Sequence, residues 1–154
     1  MRGMQTDPAP VIHRPPSLGV LIGQVRNELV RALETELHRQ GVDLRYTQFL
    51  ALKRLAMDGP MHAGELARAL EHDAGAMTRV IDQLEKKGYV VRQPNPQDRR
   101  ALRLAVTESG MATWQLIAKS HERTLERAQH ELTTEERAQL FRALERIHAA
   151  LCAS

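Results

Sequence analysis

Within one stretch, residues 73–107, the spacing of apolar residues changes from helical to strand-like, which few folds accommodate. Its first half has the i, i+3, i+4, i+7 spacing of an amphipathic helix, formed by Met77, Val80, Ile81 and Leu84. Asp73 can cap this helix, because its carboxylate accepts hydrogen bonds from unpaired N–H groups of the first turn. Gly88 can end it, because glycine tolerates the positive φ that closes a last turn.

The second half of the stretch predicts a β-hairpin. Residues 89–93 and 101–106 are short runs with strand-like character, and the intervening residues 94–98 are rich in turn formers. Arg99 and Arg100 follow at the tip. A helix followed at once by a hairpin with a basic tip is typical of a winged helix.

Positive charge is concentrated in the same unit. Residues 74–103 contain seven Lys/Arg and three Asp/Glu, a net charge of +4, whereas the whole chain carries +3. The polar side of the predicted helix carries side chains able to bond base edges or phosphates: Thr78, Arg79, Gln83 and Lys87. The simpler alternative is a solvated basic helix beside an ordinary hairpin. The order of cap, stripe, change of period and charged tip favours a nucleic-acid-binding unit.

The motifs of this stretch resemble the MarR family of bacterial winged-helix regulators. The similarity lies in GAMTRVIDQLEKKGYV, then PNPQDRR, then a strand ending in VTESG. Its most specific part is Asp98-x-Arg100 followed by a strand and Thr-x-x-Gly, residues 107–110. The resemblance extends from about residue 18 to the end of the chain.

The residues before this stretch predict a helix-turn-helix. Thr47 is expected to cap a helix whose inner face is formed by Phe49, Leu52, Leu55 and Ala56. Residues 62–70 predict a short second helix, and residues 71–73 a turn into the helix that begins after Asp73.

Long helices are predicted at both ends of the chain. Ser17 caps a helix with a leucine-rich stripe that ends at Gly41, and Thr107 caps a helix with the stripe Met111, Trp114, Ala118, His121, Leu125 and Ala128. A capping box at residues 133–136 opens a last helix, with the stripe Leu140, Leu144, Ile147 and Leu151. A two-fold dimer would bury these seams, and the resemblance implies that arrangement.

We therefore expect a mainly α protein with a small two- or three-stranded β wing. The predicted parts are a flexible N-terminal arm (1–16), a dimerisation helix (17–43), a winged helix-turn-helix lobe (44–106) and further dimerisation helices (107–154). No run of apolar residues is long enough for a membrane span and no secretory signal is visible, so we expect a cytoplasmic protein.

No enzyme is indicated, because the sequence contains no phosphate-binding glycine loop, nucleophile elbow or zinc-protease motif. No cofactor and no metal ligands are assigned. The single cysteine, Cys152, excludes an internal disulfide and lacks a basic surrounding that would make it a redox sensor. The seven histidines are scattered, although some members of the resembled family respond to zinc, so a metal-responsive regulator stays open as an alternative.

The resemblance implies which side chains contact double-stranded DNA: Gln48, Ala76, Thr78, Arg79, Gln83, Asp98, Arg99, Arg100 and Arg103. In this assignment Arg100 enters the minor groove, Asp98 orients Arg100 through a charge-assisted bond, and Arg99 and Arg103 hold phosphates. Gln83 departs from the common pattern, because relatives often have arginine there.

A second site is implied between the lobe and the terminal helices, where family members bind phenolic or salicylate-like compounds. Its candidate walls are Tyr46, Met77, Thr78, Arg92 and Trp114, with Arg92 pairing with a carboxylate. Packing of Met77 and Trp114 in the core is the simpler alternative. The function expected is a homodimeric repressor of a palindromic operator, released by an aromatic or phenolic acid, that controls efflux, stress or aromatic-compound genes. The alternative is a winged-helix module that binds DNA without sequence choice or binds a protein partner.

Overall fold

The computed structural model describes residues 16–153, so the predicted arm, apart from Pro16, lies outside the described residues. Six helices and one hairpin follow the chain: α1 (Leu18–Arg39), α2 (Tyr46–Asp58), α3 (Ala63–Ala69), α4 (Ala74–Lys86), β1 (Val90–Pro94), β2 (Leu102–Val106), α5 (Glu108–Ala128) and α6 (Thr134–Cys152). The two strands pair antiparallel, with Val90 opposite Val106 and Pro94 opposite Leu102. Met61 adds an isolated bridge to Leu104, so the wing has two full strands. The expected mainly α winged helix-turn-helix fold is confirmed.

Local chemistry sets most of the helix ends as the sequence predicts. Asp73 Oδ2 accepts from Ala76 N at 2.9 Å at the start of α4, and Gly88 ends it with φ of +77°. Thr107 Oγ1 accepts from Gly110 N at 3.0 Å at the start of α5. The capping box that opens α6 is also present. These caps satisfy N–H groups that a helix leaves without partners.

The predicted cap of α2 is wrong. The helix begins at Tyr46, so Thr47 lies inside it. Gln48 Oε1 accepts from Arg45 N at 3.1 Å, and Glu34 on α1 accepts from Tyr46 N at 3.0 Å. The acceptors at the start of α2 are therefore Gln48, its third residue, and Glu34 from α1, and not Thr47.

One hydrophobic core lies around α2, on which α4, α5 and β2 pack. The fully buried side chains at its centre include Phe49, Leu52, Leu66, Met77, Ile81, Leu84 and Ile117. Only the end of α1 joins this core, through Leu33 and Leu37. The core is therefore formed mainly by the lobe and is completed by Ile117 of α5 and the last turns of α1.

The buried line of α5 differs from the predicted stripe. It consists of Gly110, Ile117, Ser120 and Thr124, whereas Met111, Trp114, His121 and Leu125 are only half-buried. Small residues on the buried line let α5 approach α1 and the hairpin closely. Glycine, serine and threonine do not contribute to apolar periodicity. The predicted stripe therefore lies about one residue away from the face that is buried.

Candidate nucleic-acid interface

Helix α4 presents a polar face because its apolar face is fixed in the core. Met77, Ile81 and Leu84 are at most 1% exposed, so the turn geometry of the helix directs Thr78, Arg79 and Gln83 outwards, all three being exposed. Thr78 Oγ1 donates to Ala74 O at 2.9 Å, which leaves its lone pairs available as acceptors. Within residues 16–153, Arg79 has no ion pair or hydrogen bond from its guanidinium, so it can reach bases or phosphates.

Two other predicted DNA contacts, Gln48 and Ala76, are already hydrogen-bonded within the chain. Gln48 is buried, with 6% of its surface exposed, and it donates through Nε2 to Gln83 Oε1. Ala76 is half-buried, and its N–H is used by the Asp73 cap. Gln48 thus supports a neighbour on α4 and does not itself face a DNA surface.

Lys87 also departs from the prediction. Its ammonium donates to Asp43 O at 2.7 Å and to Asp43 Oδ2 at 2.8 Å, which ties the end of α4 to the loop after α1. This bond lowers the pKa of the Asp43 carboxyl below its ordinary value. Lys87 is therefore neutralised locally, and Lys86 beside it is the exposed cation at this end of α4.

At the tip of the wing, Asp98 organises the backbone. Its Oδ1 accepts from Arg100 N at 3.0 Å, and its carbonyl accepts from Ala101 N at 3.0 Å. The predicted bond from Asp98 to the Arg100 side chain is thus replaced by one to the Arg100 main chain, the pattern of an Asx-turn. This turn leaves the Arg99 and Arg100 side chains exposed, while Arg103 lies in the ladder opposite Gln93.

Arg92 joins the wing to α4. Its guanidinium donates to Asp82 Oδ1 at 2.6 Å and to Glu85, both on α4. These partners, first the hydrogen bond to Asp82, raise the pKa of Arg92. Only 28% of the Arg92 side chain is exposed, so the ion pairs are partly shielded from water. The bridge holds the hairpin at a fixed angle to the helix that carries Arg79.

The Thr-x-x-Gly motif joins the hairpin to α5. Thr107 Oγ1 donates to Gly88 O at 2.6 Å while it caps α5, and Thr107 N donates to Tyr89 O at 3.0 Å. Gly110 lies directly against the Tyr89 carbonyl, since a Cβ added there would be 2.1 Å from that oxygen. The motif therefore fixes the base of the wing against the first turn of α5.

Comparison with known proteins agrees with this arrangement. The sequence model of the MarR family matches residues 44–102, which cover α2 to the first residue of β2. The multiple antibiotic resistance protein MarR of Salmonella typhimurium is 34% identical over 116 residues, covering 75% of this chain and 77% of that protein. The chain belongs to the MarR family. Members of this family are DNA-binding transcriptional regulators and not enzymes, and this chain is therefore a DNA-binding transcriptional regulator.

Solved structures of transcriptional regulators have the same fold. A crystal structure of a MarR variant from E. coli complexed with operator DNA superposes with a TM-score of 0.78 at 30% identity, over 84% of this chain and 92% of that one. A probable transcriptional regulator from Pseudomonas aeruginosa gives a TM-score of 0.77 at 25% identity, over 85% and 96% of the two chains. The likeness thus includes the terminal helices as well as the lobe.

Two of the predicted effector side chains are already engaged within the chain. Met77 is 1% exposed and belongs to the core, and Arg92 is already paired with two carboxylates. Tyr46 and Trp114 both pack on the Phe49 ring, with ring centroids 6.4 and 6.0 Å away. The core interpretation of Met77 is therefore correct, and a ligand at Arg92 would have to compete with Asp82 and Glu85.

Sequence reasoning missed several side chains that position the interface. Asp82 and Glu85 hold Arg92, and His62 Nδ1 contacts Leu102 O at 2.8 Å, which fixes the hairpin to the start of α3. The spacing of Asp82 and Glu85, one helical turn apart on α4, was a detectable signal for a shared cation. No local pattern identifies His62, because its partner is forty residues away.

The part of the chain that the structure describes contains no group of three or more His, Cys, Asp or Glu placed to hold a metal ion. Cys152 is exposed at the end of α6, with Sγ 3.7 Å from His148 Nε2. Among residues 16–153, no helix has the length and hydrophobicity to cross a membrane.

Proposed function

We propose that this MarR-family regulator is a homodimeric repressor that binds a palindromic operator and leaves it when a small aromatic or phenolic acid binds. The dimer is inferred from α6, in which no residue is buried in the single chain. Its apolar side chains Leu140, Phe141, Leu144 and Leu151 are between 38% and 72% exposed. Such a seam requires a partner surface.

The same chain offers that surface. The first half of α1 exposes Leu18, Val20, Leu21, Ile22 and Val25. Further along α1, an open groove of about 450 Å³ runs between α1 and α5. Its walls include Val25, Leu29 and Ala32 on one side and Thr124 and Ala128 on the other. Because both the seam and the groove are on one chain, a two-fold axis lets each chain fill the surface of the other.

For DNA, we propose that α4 enters the major groove and the wing the adjoining minor groove. Arg79 and Thr78 face bases, Arg100 lies at the wing tip, where the narrow groove has enhanced negative potential, and Arg99 and Arg103 hold phosphates. Two lobes related by a two-fold axis contact half-sites about 10 bp apart, centre to centre.

Footprinting on chromosomal DNA tests this proposal against the alternative of binding without sequence choice. A discrete protected inverted repeat is the expected result. Uniform protection would contradict the repressor and favour the alternative. The genes beside a discrete site would indicate what the protein controls.

We propose that the acid acts at Arg92. A ligand carboxylate there competes with Asp82 and Glu85 and releases the wing from α4. A coupling of about 1.4 kcal/mol between acid and DNA lowers operator affinity tenfold, so a weak ligand suffices.

Salicylate titrated against the protein–operator complex tests this step. Dissociation is expected, and E85Q should lower the salicylate concentration required because one competing carboxylate is removed. R92K is the matched control, since lysine retains the charge but loses the forked geometry that matches a carboxylate. Equal sensitivity of R92K and wild type would contradict the Arg92 site.

A further inference from the structure

A line of hydrogen bonds connects the start of α2 to the exposed face of α4. Arg45 N donates to Gln48 Oε1 at 3.1 Å, and Gln48 Nε2 donates to Gln83 Oε1. Gln48 is buried, whereas Gln83 is exposed on the same face as Arg79, one helical turn further along. The line thus runs from a backbone N–H, through a buried amide, to a side chain of the candidate DNA surface.

The direction of this line is fixed by chemistry at its first bond. A backbone N–H can only donate, so the atom of Gln48 that faces Arg45 must be the carbonyl oxygen. The NH₂ group of Gln48 then faces Gln83, and an NH₂ group likewise only donates. Gln83 must therefore present Oε1 inwards and its own NH₂ group outwards. No hydrogen bond among residues 16–153 uses Gln83 Nε2.

A free glutamine in the major groove has a choice that Gln83 lacks. It can turn its amide and pair with adenine through both groups, accepting from N6 and donating to N7. If Gln83 turned, two NH₂ groups would face each other, and the buried Gln48 Nε2 would lose its acceptor. A buried donor without a partner is costly, so the outward NH₂ orientation is retained.

We propose that Gln48 is a positioning residue that fixes Gln83 as a hydrogen-bond donor towards DNA and thereby determines operator sequence. The bases that suit this donor best are guanine and thymine, because guanine presents two acceptors, O6 and N7, and thymine presents O4, whereas adenine presents its acceptor N7 beside the N6 donor, which an outward NH₂ group cannot pair with. Cytosine presents only a donor there and is the least favoured base. This inference rests on the proposed function, since it requires α4 to lie in the major groove.

The test begins by locating the base pair that Gln83 reads. Wild type and Q83A are titrated with operators that carry each of the four base pairs at every half-site position. Q83A is expected to lose preference at one position, where wild type prefers guanine or thymine by about three- to tenfold, less than a bidentate contact provides. Loss of preference at no position, or a wild-type preference for adenine or cytosine there, would overturn the proposal.

Two substitutions then test Gln48 at that base pair. Q48E retains an acceptor for Arg45 N–H but presents a carboxylate oxygen to Gln83. Gln83 must then donate inwards and present its oxygen to DNA, so preference is expected to shift to adenine or cytosine, which carry NH₂ donors. Q48L removes Nε2, the donor to Gln83, and is expected to leave almost no preference among the four bases at that position.

The readout is a ratio of affinities measured on one protein preparation. A partly unfolded variant therefore loses active protein without a change in this ratio, which separates positioning from a merely structural role. The control is Q48L in the Q83A background, which should leave every base preference as in Q83A alone. Preferences at positions read by Arg79 should also stay unchanged.

The proposal is overturned if Q48E and Q48L both retain the wild-type preference at that base pair, or if Q48L changes it equally in the Q83A background. Failure of the proposed function has a different signature, because wild type would then show no sequence preference at any position.

Discussion

The winged helix-turn-helix lobe and the terminal helices differ in where their packing partners lie. In the lobe, Met77, Ile81 and Leu84 of α4 are at most 1% exposed, and their partners belong to the same chain. In α6 no residue is buried, and Leu151 is 72% exposed. Both regions contain apolar stripes of helical period, so the stripe alone does not reveal which chain completes the packing. A lobe that is packed within one chain can present a fixed surface, whereas in the proposed dimer its position relative to a second lobe depends on the terminal helices.

A charge on the α6 seam should have the largest effect. L144E would place a carboxylate in the proposed interface, where an unpaired buried charge costs several kcal/mol, so the dimer should dissociate at micromolar concentration. The lobe should stay folded because its core does not include α6. R146E introduces the same side chain on the opposite face of α6 and should remain dimeric. Light scattering after size-exclusion chromatography measures both, and a dimeric L144E protein would contradict the interface.

The next effect should appear at the junction of the two regions. G110A places a Cβ against the Tyr89 carbonyl, which neither backbone can avoid without movement. We expect unfolding free energy to fall by about 2–3 kcal/mol. G64A on α3 is the control, because no atom lies within 4 Å of the added Cβ, and it should be neutral or slightly stabilising. Equal stability of the two variants in urea denaturation would contradict the close contact.

A functional variant separates DNA contact from fold. R79A should reduce operator affinity by about 1–3 kcal/mol, because an arginine that reads a base is removed from an exposed position. Its melting temperature should stay close to that of wild type.

D98A should also weaken binding, although it removes a negative charge, because the turn that presents Arg100 is lost. Gel-shift titrations measure both, and stronger binding by D98A would show that net charge outweighs the turn.

The smallest effect concerns His121, which lies where α5 meets α2, with its ring centroid 4.9 Å from that of Phe49. Burial, with a smaller contribution from Lys53, lowers the pKa of His121, and Glu122 opposes the shift. The unfolded chain therefore takes up a proton near pH 6.5 that the folded chain resists, so stability should decline as pH falls below about 6.5. H121Q should reduce this decline between pH 7.5 and 5.5 in urea denaturation, while the exposed-site control H130Q should not. An unchanged decline in H121Q would contradict the assignment.

Sequence predicts the features of this structure that depend on neighbouring residues and misses those that depend on distant ones. The caps at Asp73, Thr107 and residues 133–136 depend on side chains within three positions of the helix start, so local patterns identified them. At the start of α2 one acceptor, Gln48, lies three residues from Arg45, but the other, Glu34, lies twelve residues before Tyr46, where no local pattern could find it. Charge and motif predicted Arg79 and Arg100 as DNA contacts, and both side chains are exposed in the structure. In the structure, Gln48 and Arg92 bond within the chain, which the sequence did not predict, because the partner of each lies on another element.

Binding stoichiometry on whole and half operators distinguishes a lobe that is packed within one chain from terminal helices that require two chains. A duplex with the full inverted repeat should bind two chains in one cooperative step. A duplex with one half-site should bind at least about a hundredfold more weakly, because half of the base and phosphate contacts are lost. Equal affinity for the two duplexes, with one chain on the half-site, would contradict the account.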